Sequence, residues 1–131
     1  MSYVIAIAVA FFAAFVAGLL ALPEALGAHP WWSAKVLWTG GSVGVVVGIL
    51  TAWRVSSRRK YQTVALIGLV VATIAAFATA RYGQAQFAAT YAEDAFAGKL
   101  WFFGWHSTCA FAMATLSLLG WIIADTLRSR A

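Results

Sequence analysis

Four long stretches of this chain carry no charged side chain, and no other feature restricts its fold so tightly. They cover residues 3–22, 36–53, 61–80 and 100–124. As helices rising about 1.5 Å per residue, each is long enough to cross the ~30 Å hydrocarbon layer of a bilayer. A chain of 131 residues that is 63% hydrophobic and only 10% charged has too few polar groups to cover a water-soluble core of that size. The reading is an all-α integral membrane protein, one domain of four spans in an antiparallel bundle.

The first stretch resembles a secretory leader only in part. Residues 25–28, Ala-Leu-Gly-Ala, mimic a cleavage site, but no cation precedes Val4 and the apolar run is longer than a leader's core. It reads as a span. Pro23 follows it and stops the helix, since proline lacks an N–H and restricts the residue before it. Residues 84–97, between Gly83 and Gly98, alternate polar groups with Phe87, Tyr91 and Phe96 near helical spacing. That pattern predicts a short amphipathic helix lying on the outer surface.

Charge sets the expected orientation. Arg54, Arg58, Arg59 and Lys60 crowd one connection, and Arg128 and Arg130 close the chain. On the other side Lys35, Arg81 and Lys99 are offset by Glu24, Glu93 and Asp94. An excess of Lys and Arg in short connections marks the cytoplasmic face. Both termini are therefore expected in the cytoplasm, with the bacterial inner membrane as the natural setting. The net charge of +5 never gathers into a long basic stripe, so nucleic acid is excluded as a partner. Trp31, Trp32, Trp38, Trp101 and Trp105 gather toward the outer side, where they would form an aromatic belt or contact a lipid, pigment, quinone or protein.

Small residues recur at every fourth position. Gly40, Gly44, Gly48 and Ala52 form one ridge, and Gly68, Ala72 and Ala76 form another. In lipid such GxxxG ridges let helix backbones approach closely, because dispersion contact replaces the hydrophobic drive. The second and third spans, joined by a short connection, are expected to pair through them.

Chemistry-bearing residues are few. No Asp, Glu, Lys or Arg lies within a span, which argues against a proton- or ion-coupled pathway. No phosphate-binding glycine loop, HExxH pattern or nucleophile triad occurs, so no catalytic residue is assigned. His106, Cys109 and Met113 fall at i, i+3 and i+7 on one helical face. They are a soft donor set that would suit copper, or ordinary packing residues. His29 and His106, the only two histidines, both belong to the outer side and would together suit one haem iron. The lone Cys109 excludes an internal disulfide.

Three functions follow as expectations. One is a small non-catalytic subunit of a larger membrane complex, respiratory or photosynthetic. Another is a homo-oligomeric transporter or channel, lined by the hydroxyls of Thr39, Ser42, Thr51, Thr63, Thr73, Thr79, Thr108, Thr115 and Ser117. The last is a redox or metal protein centred on His106.

Overall fold

A computed structural model describes all of residues 1–131. It is all-helical: α1 is Ser2–Leu19, α2 Leu22–Ala25, α3 Ser33–Val55, α4 Arg59–Ala89 and α5 Ala95–Arg130. All but α2 are long and apolar enough to cross a membrane.

Helix α5 is the hub. Helices α1, α3 and α4 all pack on it, whereas the backbones of α1 and α4 stay apart. The order of the contacts gives the directions. Gly40 lies against His106, Gly44 against Ala110 and Gly48 against Ala114, so α3 and α5 ascend together. Gly83 meets Trp101, Ala80 meets Gly104 and Phe87 meets Gly98, so α4 descends along α5. Tyr3 of α1 stacks near Trp121, close to the other end of α5. One end of the molecule thus collects the termini and the 54–60 connection and is called the basic end. The opposite end, holding residues 20–34 and 88–96, is the aromatic end.

Glycine decides the closest approaches. A β-carbon on Gly40 would stand 2.7 Å from the carbonyl oxygen of His106, and one on Gly48 2.7 Å from that of Ala114. At Gly44 it would collide with the Ala110 backbone. Ala52 at the end of the same ridge is fully buried. The ridge therefore seats α3 on α5, not on α4 as the short 54–60 connection implied. A small-residue stripe sets how near a neighbour comes; which neighbour it meets is decided by the rest of the bundle. The second ridge divides. Ala76 and Ala80 are buried toward α5, whereas Gly68 meets nothing within 4 Å. Ala72 is half-buried between them.

The outer surface helix expected over 84–97 is absent as a separate element. Its first half continues α4 to Ala89 and its second half opens α5 at Ala95. Only the segment 90–94 turns. Tyr91 and Ala92 adopt positive φ of 52° and 68° there. The Asp94 carboxylate caps α5 by accepting from the Ala97 N–H at 3.0 Å, and Thr90 Oγ1 accepts from the Asp94 N–H at 3.1 Å. The periodicity was helical because the residues are helical. The apolar face packs Phe87 on Gly98 and Trp101 instead of on a lipid surface. At 31 and 36 residues, α4 and α5 reach roughly 46 and 54 Å, well beyond one bilayer core.

Pro23 does not terminate α1 directly. The helix stops at Leu19, Ala21 takes a left-handed φ of 49°, and Pro23 sits in the first turn of α2, where its missing N–H costs nothing. Two apolar clusters fill the interior. One, toward the aromatic end, contains Val36, Leu37, Trp105, Cys109 and Met113. The other, toward the basic end, contains Ala6, Ala52, Leu118 and Trp121.

Candidate functional site

Two adjoining features on the aromatic half of α5 hold the unusual chemistry. The first is His106. The Thr39 hydroxyl donates its one proton to the Lys35 carbonyl at 2.6 Å. At its 3.0 Å contact with His106 Nε2, Thr39 Oγ1 must therefore accept, and the imidazole Nε2–H donates. In the neutral ring the proton is thus on Nε2 and Nδ1 is a bare lone pair. That Nδ1 is buried and has no partner. Phe102 lies edge-on to the imidazole, with centroids 4.6 Å apart.

His29 is not brought to the same place. It lies against Trp32 and Trp101, with ring centroids at 6.1 and 5.6 Å, and its Nδ1 accepts from the Trp31 N–H. Trp32 and Phe102, 5.3 Å apart, intervene between the two histidines. The paired-histidine arrangement expected for haem is not formed. Nor do any three His, Cys, Asp or Glu side chains cluster in metal-holding geometry. Within the copper set, His106 turns to Thr39, while Cys109 and Met113 are buried against Gly40 and Gly41.

The second feature is a cavity of about 530 Å³ between α1, α4 and α5. It lies where α1 and α4 both pack on α5 while their backbones stay apart. Trp105, Thr108, Cys109, Ala112, Met113 and Leu116 of α5 form its floor. These are positions i, i+3, i+4, i+7, i+8 and i+11, one continuous helical stripe. Ala13, Ala14 and Ala17 make one wall, and Thr73, Ile74 and Phe77 the other. No ionisable carboxylate, amine, guanidinium or imidazole reaches it. Both threonine hydroxyls are spent on their own helices, Thr73 on the Leu69 carbonyl and Thr108 on that of Gly104.

Trp105 is the exception. It is 3% exposed, its ring meets Phe77 edge-to-face at 5.7 Å, and its indole Nε1–H has no acceptor. A buried donor without a partner costs about 1–3 kcal/mol.

The connection that carries α2 caps the cavity at the aromatic end with Leu22, Pro23 and Leu26. It is pinned from the α4–α5 side. Trp101 Nε1 donates to the Gly27 carbonyl at 2.9 Å, and Arg81 reaches the Leu26 carbonyl and the Gln84 side chain. Gly27 has φ of +110°, and a β-carbon there would strike the Arg81 guanidinium. Ser33 adds a hydrogen bond to Glu24 at 2.5 Å.

Read by residue spacing alone, the stripe His106–Cys109–Met113 sits slightly off the true one. The i, i+3, i+4, i+7 pattern starting at Trp105 was the signal for the cavity floor. What hid it was that Trp105 also belongs to the aromatic cluster preceding His106. Of the hydroxyls expected to line a pore, Thr39, Thr51, Thr63, Thr79, Thr115 and Ser117 also donate to a carbonyl four residues back in their own helix. Comparisons with known protein families, curated proteins and solved structures give no match to this chain.

Proposed function

We propose that this chain is a small non-catalytic subunit of a membrane protein complex. Its four long helices cross the bilayer in alternating directions, with both termini and the 54–60 connection on the cytoplasmic side. The observation that carries this reading is the state of α4. Only Ala76, Ala80 and Gly83 of its 31 residues are buried. Gly68 has open space around it. Ala72, Ala75 and Thr79 border a shallow groove of about 430 Å³, completed by Ser107 and Phe111 of α5. A surface of small side chains lets a further helix approach closely in lipid, and nothing within the chain uses it. The absence of charge along the spans supports a role in assembly over one in ion movement.

The test is cross-linking in native membranes. Cys109 is replaced by Ala, and Gly68→Cys supplies a single reactive thiol on the open face of α4. An adduct with a different protein is the expected product. An adduct of two copies of the chain would instead identify a homo-oligomer. No adduct, together with migration as a monomer in mild detergent, would dismiss the proposal.

A further inference from the structure

We infer that the pocket at the basic end, where α3 turns into α4, holds the phosphate of one anionic glycerophospholipid. Arg54 and Arg58 supply the cationic clamp, and Ser57 and Tyr61 add neutral donors. These four side chains line an open pocket of about 670 Å³ and all are exposed, so a ligand reaches them. The connection that carries them is fixed by other groups. The Arg58 N–H donates to the Val55 carbonyl, Ser56 Oγ to that of Trp53, and Gln62 Nε2 to that of Ser56. Those bonds leave the guanidinium and hydroxyl donors of the pocket free, and Arg58 is steadied over the Tyr61 ring at 5.6 Å. No carboxylate lines the pocket. Glu24, Glu93 and Asp94 belong to the opposite end, and Asp125 lies on α5 outside the lining. Two unpaired guanidiniums with two hydroxyls beside them match a phosphate that carries a negative charge.

The rest of the wall says that this phosphate belongs to a lipid. It consists of Val55, Val64 and Ala65. Tyr61, Val64 and Ala65 fall at i, i+3 and i+4, so this wall leads along one face of α4 from the basic end into the span. Exposed Trp53 and Tyr61 flank the pocket, as aromatic side chains do at headgroup level. A free phosphate or an acidic protein segment would bring no hydrocarbon to that wall. A lipid such as phosphatidylglycerol brings both charge and chains, whereas the choline of phosphatidylcholine would add a third cation beside the two guanidiniums. The inference requires α3 and α4 to cross the bilayer. It does not require the subunit reading, because it is tested on the purified chain with no partner protein present.

The full chain in dodecyl maltoside is titrated with phosphatidylglycerol and followed by native mass spectrometry. One lipid per chain is expected to bind first, and more tightly than phosphatidylcholine. Arg54→Gln with Arg58→Gln is expected to weaken it about tenfold. Arg128→Gln with Arg130→Gln removes as much charge from the same end but outside the pocket, and is expected to leave binding unchanged. Ser57→Ala with Tyr61→Phe alters no charge and is expected to weaken binding about threefold. All the substituted residues are exposed, so the fold is kept, as circular dichroism checks. Equal losses from the two arginine pairs, or none from the neutral pair, would mean diffuse attraction and overturn the proposal. Equal binding of phosphatidylcholine, or no bound lipid, would also overturn it. Displacement by glycerol phosphate or by a polyglutamate peptide at the lipid's own concentration would reject the lipid in favour of a soluble phosphate or an acidic protein segment.

Discussion

At the scale of single residues, Gly44 of the α3 ridge and Gly68 of the α4 ridge make opposite demands although both ridges repeat every fourth position. Gly44→Ala puts a β-carbon into the Ala110 backbone, so α3 must move off α5. A loss of about 1–3 kcal/mol is expected, measured by reversible unfolding in mixed SDS and detergent micelles. Gly68→Ala meets nothing within 4 Å and is expected to be neutral or slightly stabilising in the same assay, as alanine favours helix. The two ridges look alike in sequence because spacing reports only that a face is narrow. His106 yields a second prediction. The shared proton count at Thr39 fixes the imidazole as the Nε2–H tautomer, so nitrogen NMR of the labelled ring should show a bare Nδ1. Thr39→Val removes the acceptor and is expected to cost about 1–2 kcal/mol. The residue types at the site were legible in sequence, but the partnership of Thr39 with His106 was not. It joins side chains 67 positions apart and depends on α3 and α5 ascending together.

At the scale of elements, the four long helices were readable from apolar run length, and their ends were not. Residues 84–97 show why. A helix lying on a membrane and two helix ends packed on each other have the same 3.6-residue periodicity, and only the partner differs. Here the partner is internal, through Gly83, Phe87, Gly98 and Trp101. Phe87→Ala is therefore expected to speed amide exchange over 84–98 without changing helix content, measured by hydrogen–deuterium exchange. Exchange unchanged in that segment would mean that the pair of helix ends is held by something else. The α2 connection provides a parallel case. Trp101→Phe keeps the ring and removes the donor to the Gly27 carbonyl. Residues 22–28 are expected to exchange faster as the cap loosens, with α1 and α3 unaffected.

At the scale of the whole molecule, the proposed orientation rests on the contrast between the two ends. The basic end carries Arg54, Arg58, Arg59 and Lys60, with Arg58 over the ring of Tyr61 at 5.6 Å. The aromatic end displays Trp31, Tyr91 and Phe96 to their surroundings. With Cys109 replaced by Ala, a cysteine at Ser57 should react with a membrane-impermeant maleimide only after the cells are opened, and one at Ala92 before. The reverse pattern would invert the orientation. The overall class was evident in the sequence because the shortage of charge leaves few alternatives. The arrangement around α5 was not, since all four stretches are comparably apolar and nothing in a linear pattern ranks them by how many neighbours they will have.

That arrangement has a consequence for how the protein is made. The common partner of α1, α3 and α4 is the last of the five helices in chain order. Until residues 95–130 are made, α1 and α4 lack the helix on which both pack, and the glycines of α3 face an empty place. Before then, among the long helices, only the contacts of α3 with α1 and with α4 can form. A chain stalled before α5 is therefore expected to be cut by proteases faster than one in which α5 has joined the other helices.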